Sequence, residues 1–391
     1  MNNPAQAHRK PGRPKGSQNK KALSETVDAG LFDQLDAGLM RDGPSVAPQV
    51  IIPGASPVAT VVFDTYWRLA CERQKIFFEK IRHPNQHIWT DDPILRKHKF
   101  TNAYRASDRV SQYLIKNIIY CDEVWLRRPE EAFFRIILFK LFNKIETWKL
   151  LERELGAISW AEYDFDRFDA VLSQAIGSGQ TIYSAAYIMP SGRSAFGHER
   201  KHRNHLLLLE KMMADRLPAR LHQENPPLSE VFEQIRSYPG IGDFLAYQYA
   251  IDLNYSEIID RSEDEFVMPG PGALDGMAKC FAHFGNCSPS DVIRYAKDRQ
   301  EEVLNRLGLT FLDLWGRPLH LIDCQNLFCE VDKYARVRHP EVKGRSDRTR
   351  IKQIYRPSVG VIDYFFPPKW GINDQVQSDP GYLNHASPVR G

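Results

Sequence analysis

The sequence predicts an all-α fold organised on a helix-hairpin-helix and preceded by a disordered basic arm. Three observations predict it. Apolar residues recur at helical spacing through most of the chain after residue 59. The stretch Ser237–Asp252 joins two such patterns through the tight turn Pro239-Gly240-Ile241-Gly242. The first 30 residues are poor in apolar side chains and rich in Lys and Arg.

At 391 residues the chain exceeds the usual single-core size, which predicts one large helical domain or two intimate subdomains. A net charge of only +3 hides the basic N-terminus, so the charge points to a partner at one end. The six cysteines form no CxxC pair and the N-terminus has no signal-peptide core, so reduced thiols in the cytoplasm are expected. Cys280 and Cys287 have no third cysteine close enough to complete an iron-sulfur loop, and no cofactor is implied. No apolar run is long enough to span a membrane.

Within the arm, residues 1–30, Gly12-Arg13-Pro14 flanked by Lys10 and Lys15 resembles an AT-hook. An extended Arg-Pro segment fits the minor groove, and Arg13 suits the narrow groove of A·T tracts. A polybasic tail that touches only phosphates, through Arg13 and Lys15, is the plainer alternative. Residues 31–58, rich in Pro, Gly and Ala, are expected to be linker, residues 59–373 the helical domain, and residues 374–391 a disordered tail.

The first helical pattern starts near Val61 and ends near Ile81. In the loop after it, Thr90 or Asp91 is placed to cap a helix starting at Pro93. Asn102 to Leu114 reads as a helix with Arg105, Asp108, Arg109 and Gln112 along one side. Ala132 to Trp148 is apolar nearly all round, hence central, yet it carries Lys140, Asn143, Lys144 and Thr147. A polar stripe on a buried helix must be paired or line a cavity, so these residues form an ion-pair network with the Arg105 helix or the two line a cleft.

Gly177-Ser-Gly179 invites a phosphate-loop reading, but GxxxxGK[ST] occurs nowhere, which excludes a P-loop kinase. His198, His202 and His205 share a helical face, but Arg200, Lys201 and Arg203 beside them disfavour a metal and suit phosphate. In the hairpin turn, Gly240 and Gly242 permit close backbone approach, and the free amides of the second helix suit a phosphate. A helix corner with no ligand is the alternative. Near the C-terminus, Asp323, Asn326, Glu330 and Lys333 form a second polar stripe on an apolar helix. Two such stripes face to face would enclose a pocket in which carboxylate and lysine protons are used chemically.

Six segments taken together resemble one family. They are Trp89-Thr-Asp-Asp-Pro-Ile-Leu95, Tyr104-Arg-Ala-Ser-Asp-Arg109, Phe142-Asn-Lys-Ile-Glu-Thr-Trp148, Tyr238-Pro-Gly-Ile-Gly-Asp-Phe244, Gly272-Ala-Leu-Asp-Gly276 and Asp323-Cys-Gln-Asn-Leu-Phe-Cys-Glu-Val-Asp-Lys-Tyr334. The family is the DNA base-hypermodification family, which includes the helical domain of phage 5-hydroxymethyluracil DNA kinase and is related to alpha-glutamyl/putrescinyl-thymine pyrophosphorylases. The resemblance implies a fold like that of helix-hairpin-helix DNA glycosylases, double-stranded DNA as partner, and a thymine-derived base flipped into a pocket.

It further implies a transferase that lets an amine or amino acid displace pyrophosphate from an activated 5-hydroxymethyluracil, with a separate kinase supplying the activation. The alternatives are a glycosylase on modified thymine and a non-enzymatic DNA-binding module that recruits the kinase. In hairpin-type glycosylases the catalytic aspartate lies in the loop after the hairpin, ahead of the next helix, where Asp264 and Asp275 stand. Asp275 is the nearer to a helix from Met277 to Phe284, although it is equally placed to cap that helix. Asp323, Glu330 and Lys144 complete the catalytic candidates. Arg105, Arg109 and Arg203 are the phosphate-binding candidates, and Trp89, Asn143, Tyr183 and Asn326 the base-pocket candidates.

Overall fold

A computed structural model describes residues 56–122, 128–185, 189–356 and 363–380 of the chain. The arm with Arg13 and Lys15 lies outside the described residues, as does most of the linker. The rest is mainly helical. A two-stranded antiparallel sheet pairs β1 (Val58–Ala59) with β2 (Phe281–His283).

The chain enters α1 (Val61–Arg82) at Thr60, whose hydroxyl accepts from the Val62 amide and donates to the Lys279 carbonyl, 2.6 Å. One side chain thereby caps the helix and ties it to the far part of the sequence. The short α2 (Pro93–Lys97) is capped by Asp92, which accepts from the Ile94 and Leu95 amides, so neither Thr90 nor Asp91 is the cap. The helix expected from Asn102 to Leu114 is broken. Arg105–Ser107 is a 3₁₀ turn, Asp108 is extended, and α3 (Arg109–Tyr113) runs on into a π-helical stretch, Leu114–Ile119. The break has a local cause: Asp108 accepts from the Asn102 amide and Asn102 donates to the Ser107 carbonyl, which satisfies these groups outside a helix.

The central apolar helix is likewise two helices, α4 (Pro129–Phe142) and α5 (Ile145–Leu155), separated by Asn143 in the left-handed region at φ 48°. Asparagine tolerates that conformation and ends α4 there. From Phe133 to Leu138 every apolar side chain of α4 is fully buried, which places this helix at the centre. Next come α6 (Phe165–Gly177), the short α7 (Arg193–Phe196), α8 (Lys201–Ala214) and α9 (Leu217–Glu224).

The hairpin is α10 (Leu228–Arg236), the turn, and α11 (Asp243–Leu253). It is followed by α12 (Pro271–Cys280), α13 (Pro289–Asp298), α14 (Gln300–Leu307), α15 (Leu321–Arg338) and α16 (Asn373–Ser378). The folded part therefore continues past residue 373, and Val376 on α16 is buried. Helices α12 and α15 touch backbone to backbone. A Cβ built on Gly276 would stand 1.9 Å from the Phe328 carbonyl oxygen, so only glycine permits this packing. Among the described residues no helix is long and apolar enough to cross a membrane.

Candidate functional site

The two polar stripes do not face each other across a pocket. Each ends on a third element, and together they form a buried chain of charges through the middle of the molecule. It starts at Asn143, whose side-chain oxygen accepts from Lys140, 2.8 Å. The Lys140 ammonium lies 3.1 Å from Asp252, and the other Asp252 oxygen accepts from the Arg105 guanidinium at 2.8 Å. Arg105 also donates to Gln248 and to the Tyr255 hydroxyl, both at 3.0 Å. Its backbone amide donates to Asp323, whose second oxygen accepts from the His320 amide. The His320 ring then meets Asp264 at 2.9 Å, and Lys297 lies 3.2 Å from the same carboxylate.

These geometries decide between the two readings of the stripes in favour of an ion-pair network. Arg105 is buried, paired with Asp252. Burial lowers the Lys140 ammonium to about 8 against the opposing pull of Asp252. Burial raises the Asp323 carboxyl to about 6, and the neighbouring Glu263 charge adds to it. Asp264 is different: burial would raise it, but His320 and Lys297 more than offset that and hold it below the usual carboxylate range. Because a carboxylate only accepts, His320 donates its Nδ1–H to Asp264.

The rest of the α15 stripe clamps the segment before Arg105. Glu330 accepts from the Thr101 amide at 3.0 Å and pairs with Lys333 at 2.8 Å, while Asn326 donates to the Thr101 hydroxyl. Asp323, Asn326 and Glu330 are thus bonded to protein groups on the Thr101–Arg105 segment.

At the Asn143 end, Lys144 and the hairpin lie close to the segment around Tyr183. A recess of about 240 Å³ is lined by Lys144, Glu146, Thr147, Leu150, Gln180, Thr181 and Ile182, and the Lys144 ammonium donates to the Thr181 carbonyl and hydroxyl. The Tyr183 hydroxyl donates to His205 Nδ1 at 2.7 Å, and His205 Nε2–H donates to the Pro190 carbonyl. Both ring nitrogens are therefore assigned, and burial lowers His205 to about 4. The turn residues Pro239 and Gly240 border a narrow crevice with Asn204, His205 and Pro190. Gly240 has φ +77°, whereas Gly242 is extended and starts α11 without a side-chain cap.

Several candidates have other surroundings. Arg203 is held bidentately by Asp169, with both contacts at 2.7 Å, and His202 meets the same carboxylate. Among the described residues no group of His, Cys, Asp and Glu could hold a metal ion. Arg109 is exposed. Trp89 is buried, donating to the His83 carbonyl beneath the Lys80 ammonium. Asp275 lies inside α12 and neither precedes nor caps it. Its carboxylate is buried and accepts from the amide and hydroxyl of Ser346. The sequence reading assigned no role to Asp252 or His320. A single acid in the apolar run of α11 was the available signal for Asp252, since a lone buried carboxylate requires a cation.

Comparison with known proteins gives two matches. The family described as 5-hmdU DNA kinase, helical domain, matches residues 60–344. A 5-hmdU DNA kinase of Bacillus phage SP10 is 26% identical over 288 residues, covering 70% of this chain and 45% of that protein. The chain thus spans less than half the length of that relative. No solved structure matches it.

Proposed function

This chain belongs to the family of 5-hmdU DNA kinase helical domains, and on that footing we propose that it is a DNA-binding enzyme of thymine hypermodification. The observation that carries the reading is the extent of the match, which encloses the hairpin, the Lys144 recess and the buried charge chain. The hairpin turn and the uncapped start of α11 bind a backbone phosphate and set the register of the duplex. The substrate is a flipped base derived from 5-hydroxymethyluracil, carrying a pyrophosphate put on by a separate kinase. An amine or amino acid attacks the 5-methylene carbon. The C–N bond forms, the C–O bond breaks with its electron pair leaving on pyrophosphate, and the amine proton passes to a base. His320 Nε2, oriented by Asp264, suits that last role.

A second reading, a DNA-binding module that recruits the kinase, is favoured by the way Asp275, Asp323 and Glu330 are already bonded within the protein. Base flipping tests what the two readings do not share. A duplex with 5-hydroxymethyluracil opposite 2-aminopurine should brighten when the protein is added, and its strands should survive alkali. Alkali-labile breaks would convert the reading to a glycosylase. Binding without brightening would leave the recruiting module, and no binding would reject both.

A further inference from the structure

The segment from Arg338 to Lys352 carries six cations, Arg338, Lys343, Arg345, Arg348, Arg350 and Lys352, against the carboxylates Glu341 and Asp347. All six cations are exposed, and among the described residues no carboxylate pairs with Arg338, Lys343, Arg345, Arg350 or Lys352. Unpaired cations this dense repel one another, so the chain gains nothing internally from gathering them. The backbone that carries them is nevertheless fixed at several points. Ser346 donates its amide, at 2.7 Å, and its hydroxyl to the buried Asp275. Gly344 lies so close to α12 that a Cβ on it would stand 3.1 Å from an Asp275 carboxylate oxygen and 3.2 Å from the Lys279 side chain. Arg336 donates to the Arg350 carbonyl, 3.1 Å. At the far end Lys99 donates to the Gln353 carbonyl and Tyr355 to the Lys97 carbonyl, at 3.1 and 3.0 Å. That last junction brings the exposed cations Arg96, Lys97 and Lys99 alongside Lys352.

From this arrangement we propose that residues 338–352 form a basic strap that tracks the phosphate backbone of DNA, and that Asp275 is the positioning residue that anchors it. The inference rests on the DNA-binding reading above and adds a second contact surface to the hairpin. An ordered row of exposed cations matches a polyanion of regular charge spacing, and each phosphate neutralised adds about 0.9 to the salt dependence of binding. A buried carboxylate that receives a backbone amide and a hydroxyl from the strap holds the row in place without touching DNA.

The test is anisotropy titration of a labelled duplex by the full chain across a salt series. The variant Lys343→Ala/Arg345→Ala should bind more weakly, and its slope of log K against log salt should shrink by about 1 to 2, with an unchanged melting temperature. Asp275→Ala should lower affinity and slope in the same direction, and Asp275→Asn, which can still accept from the Ser346 amide, should restore most of both. Ser346→Ala checks the anchor should Asp275→Ala fail to fold. An unchanged slope in the Lys343/Arg345 variant, while the wild type keeps a salt-dependent affinity, would overturn the strap and leave the DNA-binding reading standing. A wild type with no salt-dependent affinity would remove the DNA-binding reading itself.

Discussion

At the scale of single residues, Asp252 carries the greatest structural weight. Two buried cations, Arg105 and Lys140, both end on its carboxylate. Removing the shared anion leaves two uncompensated charges in the interior, so Asp252→Ala should cost about 3–5 kcal/mol or more in denaturant unfolding; a loss below about 1 kcal/mol would contradict the network. Asp323 gives a test in pH. Its native carboxyl is raised to about 6 by burial and then by Glu263, above an unfolded value of about 3.9. The folded chain keeps a proton that the unfolded chain has released, so this group's stability contribution is full below about 3.9 and is lost as pH rises through about 6. A carboxyl ¹³C titration should place Asp323 near 6 and move it downward in Glu263→Gln, which retains an acceptor for Arg317. A midpoint near 4 in the wild type would refute the assignment. Part of this network was legible in the sequence, since Asp323 and the Lys140 stripe stand out as polar groups on apolar helices. Their partners were not, because periodicity says which face a side chain shares and not which distant element covers that face.

At the scale of elements, glycine decides how α12 and α15 meet. A Cβ on Gly276 would overlap the Phe328 carbonyl, so Gly276→Ala must force the two helices apart and should cost roughly 3 kcal/mol or more. Differential scanning calorimetry would show it, and an unchanged transition would mean the helices can separate freely. The same contact explains a difference between expectation and fold. With its helix expected to start at Met277, Asp275 read as a loop residue, but α12 opens six residues earlier, at Pro271, and carries Asp275 inside. The breaks at Asn143 and Asp108 were hidden for a related reason. Both interrupt a pattern that reads as one helix, and only a local backbone conformation or a side-chain bond to a nearby amide reveals them. The turn between α10 and α11 was the most legible feature, because Pro239-Gly240-Ile241-Gly242 is a strong turn signal between two clear helical patterns.

At the scale of the whole molecule, the mainly helical architecture followed from periodicity, whereas the functional reading depends on family membership and on surfaces the fold brings together. The buried charge chain joins the centre of the protein, and the proposed reading gives DNA two places to bind, the turn before α11 and the basic strap. What distinguishes a transferase from a binding module is whether a new base is made. Mass spectrometry of nucleosides tests this most directly, on 5-hydroxymethyluracil DNA incubated with a 5-hydroxymethyluracil DNA kinase, ATP and a mixture of amines and amino acids, with and without this protein. The account predicts a thymine-derived nucleoside heavier by the added amine that forms only when the protein is present. Identical nucleoside profiles with and without the protein, under every amine supplied, would contradict it.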